Sequence, residues 1–304
     1  MDIQIVAEGL SFPEGPVWMK DGSIILVETG AGKLTRILPD GSKETVAECG
    51  GGPNGIAVGP DGMLYVCNNG GMITYQQHGL TLTTGECPED YEGGWIDRID
   101  PVSGKVERLY SSCDGQRLAG PNDIVFDYEG NIWFSDLGKY VGNATLNGGI
   151  FFAKPDGSFI TRAVDRINVN GIGLSPDRKT VYGALSFESL LVGFDIVGEG
   201  KLEPIAGLGS GHVVAQFAAR QLLDSLAVDE AGHICVATCL NGAGIGSVDP
   251  ATGVVTNYPF PDVLTTNICF GGEDMQDAWV TMSTTGKLAK VRWPRAGLKL
   301  ANYA

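Results

Sequence analysis

Histidine is scarce in this chain of 304 residues, and the three present (His78, His212 and His233) show no zinc-type spacing. His233 follows a turn glycine and reads as a surface strand residue. The seven cysteines (Cys49, Cys67, Cys87, Cys113, Cys235, Cys239 and Cys269) form no C-x-x-C pair. An odd, dispersed set points to reduced thiols, and Cys235 and Cys239 read as small buried side chains on one face of a strand. Positive charge is also short, with 21 Lys and Arg against 36 Asp and Glu. The resulting formal charge of −15 repels phosphate backbones and anionic lipid, which argues against nucleic acid and membrane partners. No apolar run approaches membrane-spanning length, and Met1–Asp2–Ile3–Gln4 has neither a basic nor an apolar leader region. A soluble, cytoplasmic protein is expected, working as a monomer or a weak homo-oligomer.

Two further absences narrow the chemistry. No G-x-S-x-G nucleophile elbow occurs, which argues against a serine hydrolase. Residues 50–55 match G-x-G-x-x-G, but strand and turn patterns follow where a dinucleotide site needs a helix. The sequon letters at Asn143-Ala144-Thr145 carry little meaning without secretion.

What the chain has in quantity is glycine, 45 copies, set in D-G, N-G and P-D-G turn signals between short apolar runs. These runs repeat. EGPVWMKDGSIILV begins at Glu14, NGIAVGPDGMLYV at Asn54, NDIVFDYEGNIWF at Asn122, NGIGLSPDRKTVY at Asn170 and DSLAVDEAGHICV at Asp224; NICFGGEDMQDAWV, weaker, begins at Asn267. Eight residues into each unit stand Gly22, Gly62, Gly130, Arg178, Gly232 and Met275, where a tight turn asks for positive φ. Starts lie 40, 68, 48, 54 and 43 residues apart, the size of a four-stranded propeller blade. The expectation is an all-β, six-bladed β-propeller with four-stranded antiparallel blades around a central tunnel, one domain over residues 1–304. The widest spacing holds an insertion near residues 70–94 that carries Tyr75, His78 and Tyr91 and reads as a lid; residues 198–221 are a second irregular stretch at the entrance.

Equivalent repeats place Glu14, Asn54, Asn122, Asn170, Asp224 and Asn267 at equivalent points, a ring around one mouth of the tunnel. Asn and Asp also cap turns locally, but Glu14 is no turn former, and no copy has Ser, Gly or Thr. Two carboxylates with amide oxygens suit a hard divalent cation.

On these residues the sequence resembles the family of gluconolactonases, senescence marker protein 30 and luciferin-regenerating enzymes. The segments that carry the likeness are FPEGPVW, GQRLAGPNDIVFDYEGNIWFSD, VNGIGLSPDRKTVY and LLDSLAVDEAGHICVAT, in that order and spacing. The resemblance implies a six-bladed propeller with one divalent cation, calcium first, with magnesium, manganese, zinc or iron as alternatives. It implies Glu14, Asn170 and Asp224 as ligands and Asn122 as a further ligand or a substrate contact. Arg117 is implied to face the substrate; Asn54, Tyr75 and Tyr91 complete the candidate substrate contacts. The usual Asp-Gly is here Asp224-Ser225, which weakens assignment to the gluconolactonase branch itself. The expected function is metal-dependent opening of a sugar lactone or similar small lactone, with Asp224 the candidate base. A phosphotriesterase-type or other small-ester hydrolase at the same site, and a binding propeller with a structural ion, are the alternatives.

Overall fold

The computed structural model describes residues 1–78, 81–141, 144–203 and 211–302. Among them the chain is almost wholly β-structure, with one short 3-10 turn at Thr29–Ala31. Six antiparallel sheets follow one another around an axis, as the repeats predict. Blade 1 is built of Pro13–Trp18, Ile24–Glu28, Lys33–Ile37 and Lys43–Glu48, paired in chain order. Blade 6 takes Thr265–Gly271, Asp277–Met282 and Lys287–Arg292 from one end of the chain and Gln4–Ala7 from the other. That N-terminal strand pairs with the last strand (Ile5 opposite Ala289), so the ring is closed by hydrogen bonds between distant segments. Blade 4 departs from four strands: Leu190–Gly198 pairs with both Lys201–Leu202 and His212–Gln216.

The inner strands are Pro13–Trp18, Pro53–Val58, Pro121–Phe126, Val169–Leu174, Gln221–Val228 and Thr265–Gly271, and each packs on the next around the ring. They are nearly continuously buried because both faces are covered, unlike outer strands such as Lys43–Glu48, which is mostly exposed. The core lies between blades. Tyr65, Cys67 and Ile96 of blade 2 meet Ile124, Phe126 and Phe134 of blade 3, where Phe134 and Phe151 stack with centroids 4.9 Å apart.

The far half of the tunnel is an apolar cavity of about 120 Å³ lined by Trp18, Val58, Phe126, Leu174 and Phe270. Leu298 and Leu300–Asn302 line it as well. That last segment is tied across it: Asn302 Nδ2 donates to the Val58 carbonyl at 3.1 Å, and the Tyr128 hydroxyl donates to the Lys299 carbonyl at 2.7 Å. The opposite mouth, where the inner strands start, is where the polar ring stands.

Gly15 marks how closely these strands approach. Its φ is +46°, and a Cβ there would stand 2.2 Å from the Asn54 carbonyl oxygen. Gly15→Ala is therefore expected to lower the Tm by roughly 10 °C, combining overpacking against backbone with a strained φ. Thermal unfolding followed by circular dichroism checks this; an unchanged Tm would contradict the close approach.

Candidate metal centre

In all six inner strands the pairing with the second strand slips at or beside the ring residue. The breaks fall at Glu14/Val17, Pro53/Ile56, Pro121/Ile124, Val169/Ile172, Leu223/Leu226 and Thr265/Asn267. A β-bulge of this kind re-aims a side chain out of the pleat. Glu14, Asn54, Asn122, Asn170 and Asn267 are all buried, and Asp224 is half-buried.

The backbone entering the ring is held by buried acceptors at the ends of the second strands. Glu28 Oε2 accepts from the Ser11 amide at 2.8 Å, and Asn68 Oδ1 from the Gly52 amide at 2.8 Å. Asp136 accepts from the amides of Ala119, Gly120 and Gly138 at 2.8, 2.7 and 2.8 Å. These contacts fix where Pro13, Pro53 and Pro121 begin the inner strands, and so where Glu14, Asn54 and Asn122 stand. Asp262 does the same in blade 6 through the Leu264 amide at 2.8 Å.

The donor atoms are unevenly used. Oδ1 of Asn54, of Asn122 and of Asn170 is buried without a hydrogen-bond partner. Asn267 differs: its Oδ1 accepts from the Ile268 amide at 2.8 Å and its Nδ2 donates to Glu14 Oε2 at 3.3 Å. It is a buttress of Glu14, so the six positions are equivalent in the fold and not in chemistry. Asp224 accepts from its neighbour Ser225 N at 3.1 Å and from Cys239 Sγ at 3.5 Å. Among the described residues no group of three or more His, Cys, Asp or Glu side chains could hold a metal ion. A cation here would therefore need the amide oxygens as well. The unpartnered Asn54, Asn122 and Asn170 oxygens, beside two carboxylates, fit that need for a hard ion.

One acid was not singled out in the sequence. Directly after the ring come Gly15, Gly55, Asp123, Gly171, Ser225 and Ile268, a second layer that is small except in blades 3 and 6. Asp123 is buried, accepts from the Ile124 amide at 2.9 Å, and packs where a Cβ on Gly55 would clash with its Oδ1. Its place in that register is the signal that could have found it. Cys239 has no comparable local signal, because only sheet pairing brings it beside Asp224.

Burial and then the Asp224 charge push the Glu14 carboxyl well above its ordinary range. Removal from bulk water also raises Asp224 to about 7, helped by the Asp123 charge and opposed by hydrogen bonds from Cys239, Ser225 and Asn170. Burial raises Asp123 to about 7, against hydrogen bonds from the Ile124, Ile172 and Leu226 amides. The cluster is short of positive charge.

The two tyrosines of the insertion lie differently. Tyr75 opens the strand Tyr75–His78, which pairs with Thr81–Thr84, and its ring packs on Phe12 with centroids 4.8 Å apart. Burial, then the charges of Glu14 and Asp224, raise its hydroxyl pKa, so it belongs to the ring mouth. The Tyr91 hydroxyl is buried without a partner, and burial, then Asp136, raises it; it sits toward blade 3. Arg117 is exposed and donates to the Glu92 carbonyl at 2.6 Å, gripping the returning end of the insertion. Of the irregular stretch at 198–221, Lys201–Leu202 and His212–Gln216 are strands, and residues 204–210 lie outside the described residues. Asn143 of the sequon lies outside them too.

Comparison with known proteins agrees with this architecture. The profile of the SMP-30/Gluconolactonase/LRE-like region matches residues 12–284. A gluconolactonase of Zymomonas mobilis is 25% identical over 59% of this chain and 50% of its own length. Lactonase drp35 of Staphylococcus saprophyticus is 26% identical over 77% of this chain and 65% of its own length, so the chain spans about half to two thirds of these relatives. Regucalcin of Xenopus laevis is 25% identical over 96% of this chain and 91% of its own. In fold, XC5397 from Xanthomonas campestris, a gluconolactonase, superposes with a TM-score of 0.75 at 22% identity, covering 96% of this chain and 89% of that one.

The raised acids give a sign for pH. In the cation-free protein the folded state holds protons on Glu14, Asp224 and Asp123 that the unfolded chain has released above about pH 4. Folding stability should therefore fall as pH rises from about 4 to about 7, lowering the Tm by roughly 5–10 °C. Saturating calcium should flatten that slope; scanning calorimetry with and without calcium reads both outcomes.

Proposed function

The chain belongs to the SMP-30/gluconolactonase/LRE-like family, and on that premise we propose that it is a metal-dependent lactone hydrolase. The observation that carries this reading is the set of three buried, unpartnered amide oxygens beside Glu14 and Asp224 at the mouth of the tunnel. Glu14, Asn170 and Asp224 would hold one divalent cation, with Asn122 as fourth ligand and Asn54 beside it. The two carboxylates balance a charge of +2, and calcium, an oxygen-seeking ion tolerant of mixed donors, suits the set best.

A bound divalent cation supplies two things to ester hydrolysis: polarisation of the carbonyl and acidification of a water. The chain's residues do the rest. The carboxylate of Asp224 takes a proton from the attacking water as its oxygen bonds to the lactone carbonyl carbon. The ring C–O bond then breaks, and the same proton passes to the departing alkoxide, so lactone and water give one hydroxy acid. The hydrogen bonds from Cys239 and Ser225 restrain the Asp224 carboxylate for that role. Asn267 steadies Glu14, whose role is charge and position. The Tyr75 hydroxyl and the Asn54 oxygen face the substrate, and Arg117 and Tyr91 shape the insertion beside it. A small lactone fits a site entered from the ring side, since the far half of the tunnel is apolar and covered by residues 298–302. The acidic surface and seven free thiols suit a cytoplasmic enzyme.

Chelation is expected to reduce lactone hydrolysis to the buffer background while the β-sheet circular dichroism signal persists, and calcium should restore activity. Hydrolysis that survives chelation would overturn the metal-dependent reading, and loss of the fold on chelation would make the ion structural. Asp224→Asn should lower kcat about a hundredfold or more, beyond any rise in KM, because the carboxylate acts when the proton moves. Glu14→Gln should instead weaken calcium binding. Unchanged metal content in both variants, measured by elemental analysis, would reject the ligand assignment.

A further inference from the structure

Phe12, two residues before Glu14, has φ 55°, in the left-handed region that a bulky aromatic rarely occupies, and it precedes a proline, which further restricts it. Its neighbours are pinned on every side. The Leu10 amide donates to the Gly286 carbonyl at 3.0 Å, the Ser11 amide to Glu28, and the Gly30 and Thr29 amides to the Ser11 and Phe12 carbonyls at 3.0 and 3.1 Å. The Ser283 hydroxyl donates to the Pro13 carbonyl at 2.6 Å. A strained residue held this firmly is a pointer to function. In this conformation the ring of Phe12, only 7% exposed, meets the ring of Tyr75 at 4.8 Å with a 49° tilt. Tyr75 begins the paired strands of the insertion and lies in the field of Glu14 and Asp224.

We propose that Phe12 is a positioning residue: its ring clasps Tyr75, so that the strand Tyr75–His78 is held at the Glu14–Asp224 side of the mouth and selects a compact monocyclic lactone over an open-chain ester of the same carbon count. The proposal rests on the lactone-hydrolase reading for its substrate class, but the clasp itself does not. A small ring carries its carbonyl and ring oxygen on one edge and has few rotors to freeze beside that strand. An open-chain ester extends on both sides of its carbonyl and loses more freedom on binding.

The test uses Phe12→Leu, which keeps apolar bulk without the ring, and Phe12→Tyr, which restores the ring. Hydrogen exchange at the Tyr75–His78 amides reads the clasp without any substrate. Calorimetry on the calcium-loaded protein, with an unreactive six-membered lactam and an open-chain amide of equal carbon count, reads selection without hydrolysis. An aromatic pair of ordinary strength predicts that Phe12→Leu raises the exchange rate and the lactam Kd about three- to tenfold. The open-chain amide Kd and the calcium content should not move, and Phe12→Tyr should match wild type. With a lactone substrate, KM should rise by the same factor with kcat nearly constant. Should Phe12→Leu not fold, Tyr75→Ala removes the clasp from the other side and must give the same loss of lactam preference. Unchanged exchange in Phe12→Leu, no lactam preference in wild type, or a Phe12→Tyr that behaves like Phe12→Leu would each overturn the proposal. Preferential lactam binding with no lactone hydrolysed would instead sink the hydrolase reading and leave the clasp standing.

Discussion

Six strands that converge on one axis leave little room for side chains just inside the mouth, and most of the site follows from that crowding. A Cβ at Gly15 or Gly171 would run into the backbone of the next blade, so the layer beneath the ring is small there and the strands close in. Each strand bulges at or beside its ring residue, a distortion that turns side chains out of the pleat at this level of the tunnel. The convergence of polar atoms is thus a consequence of the packing. It is also what makes their desolvation costly, because the same closeness excludes water.

That cost falls on the carboxylates. Glu14, Asp224 and Asp123 share a small volume with no cationic side chain among the groups that shift them. Natural proteins break the rule of paired buried charge mostly at functional sites, where affinity for a ligand compensates for strain in its absence. The contrast with Asp229 is instructive. That acid is fully buried too, but it is paired with Arg295 and bonded by the His233 amide at 2.8 Å. Glu28, Asp136 and Asp262 accept from backbone or hydroxyl donors that hold the strand entries, and Glu28 also pairs with Lys33 at 3.3 Å. The three ring amides are left with free oxygens.

Around this shared centre the insertion is where the chain is individual. Blades repeat, but the segment between Asn68 and Trp95 belongs to one blade, and it sends Tyr75 toward the ring while Tyr91 packs at its edge. Arg117 and Phe12 anchor it at opposite ends, one by a hydrogen bond to Glu92 and the other by ring contact. Loops held by a rigid scaffold are the usual place for specificity, and here the scaffold reaches into the loop through a strained backbone.

The blade count and the strand–turn–strand unit of each blade were legible in the sequence, since a repeat in fixed register imposes equivalent placement on equivalent residues. The turn positions were legible for the same reason; even Arg178 and Met275, standing where other copies have glycine, take positive φ. What repetition could not reveal is how equivalent positions differ. Asn267 spends its oxygen on the Ile268 amide, whereas Asn54, Asn122 and Asn170 keep theirs free, a distinction made by local backbone geometry. Closure of blade 6 by Gln4–Ala7 and the contact between Phe12 and Tyr75 join residues far apart in the chain. Periodicity carries no information about such pairs. They are decided only when the sheets pack and the ring closes, because their energy comes from contacts that no local segment contains.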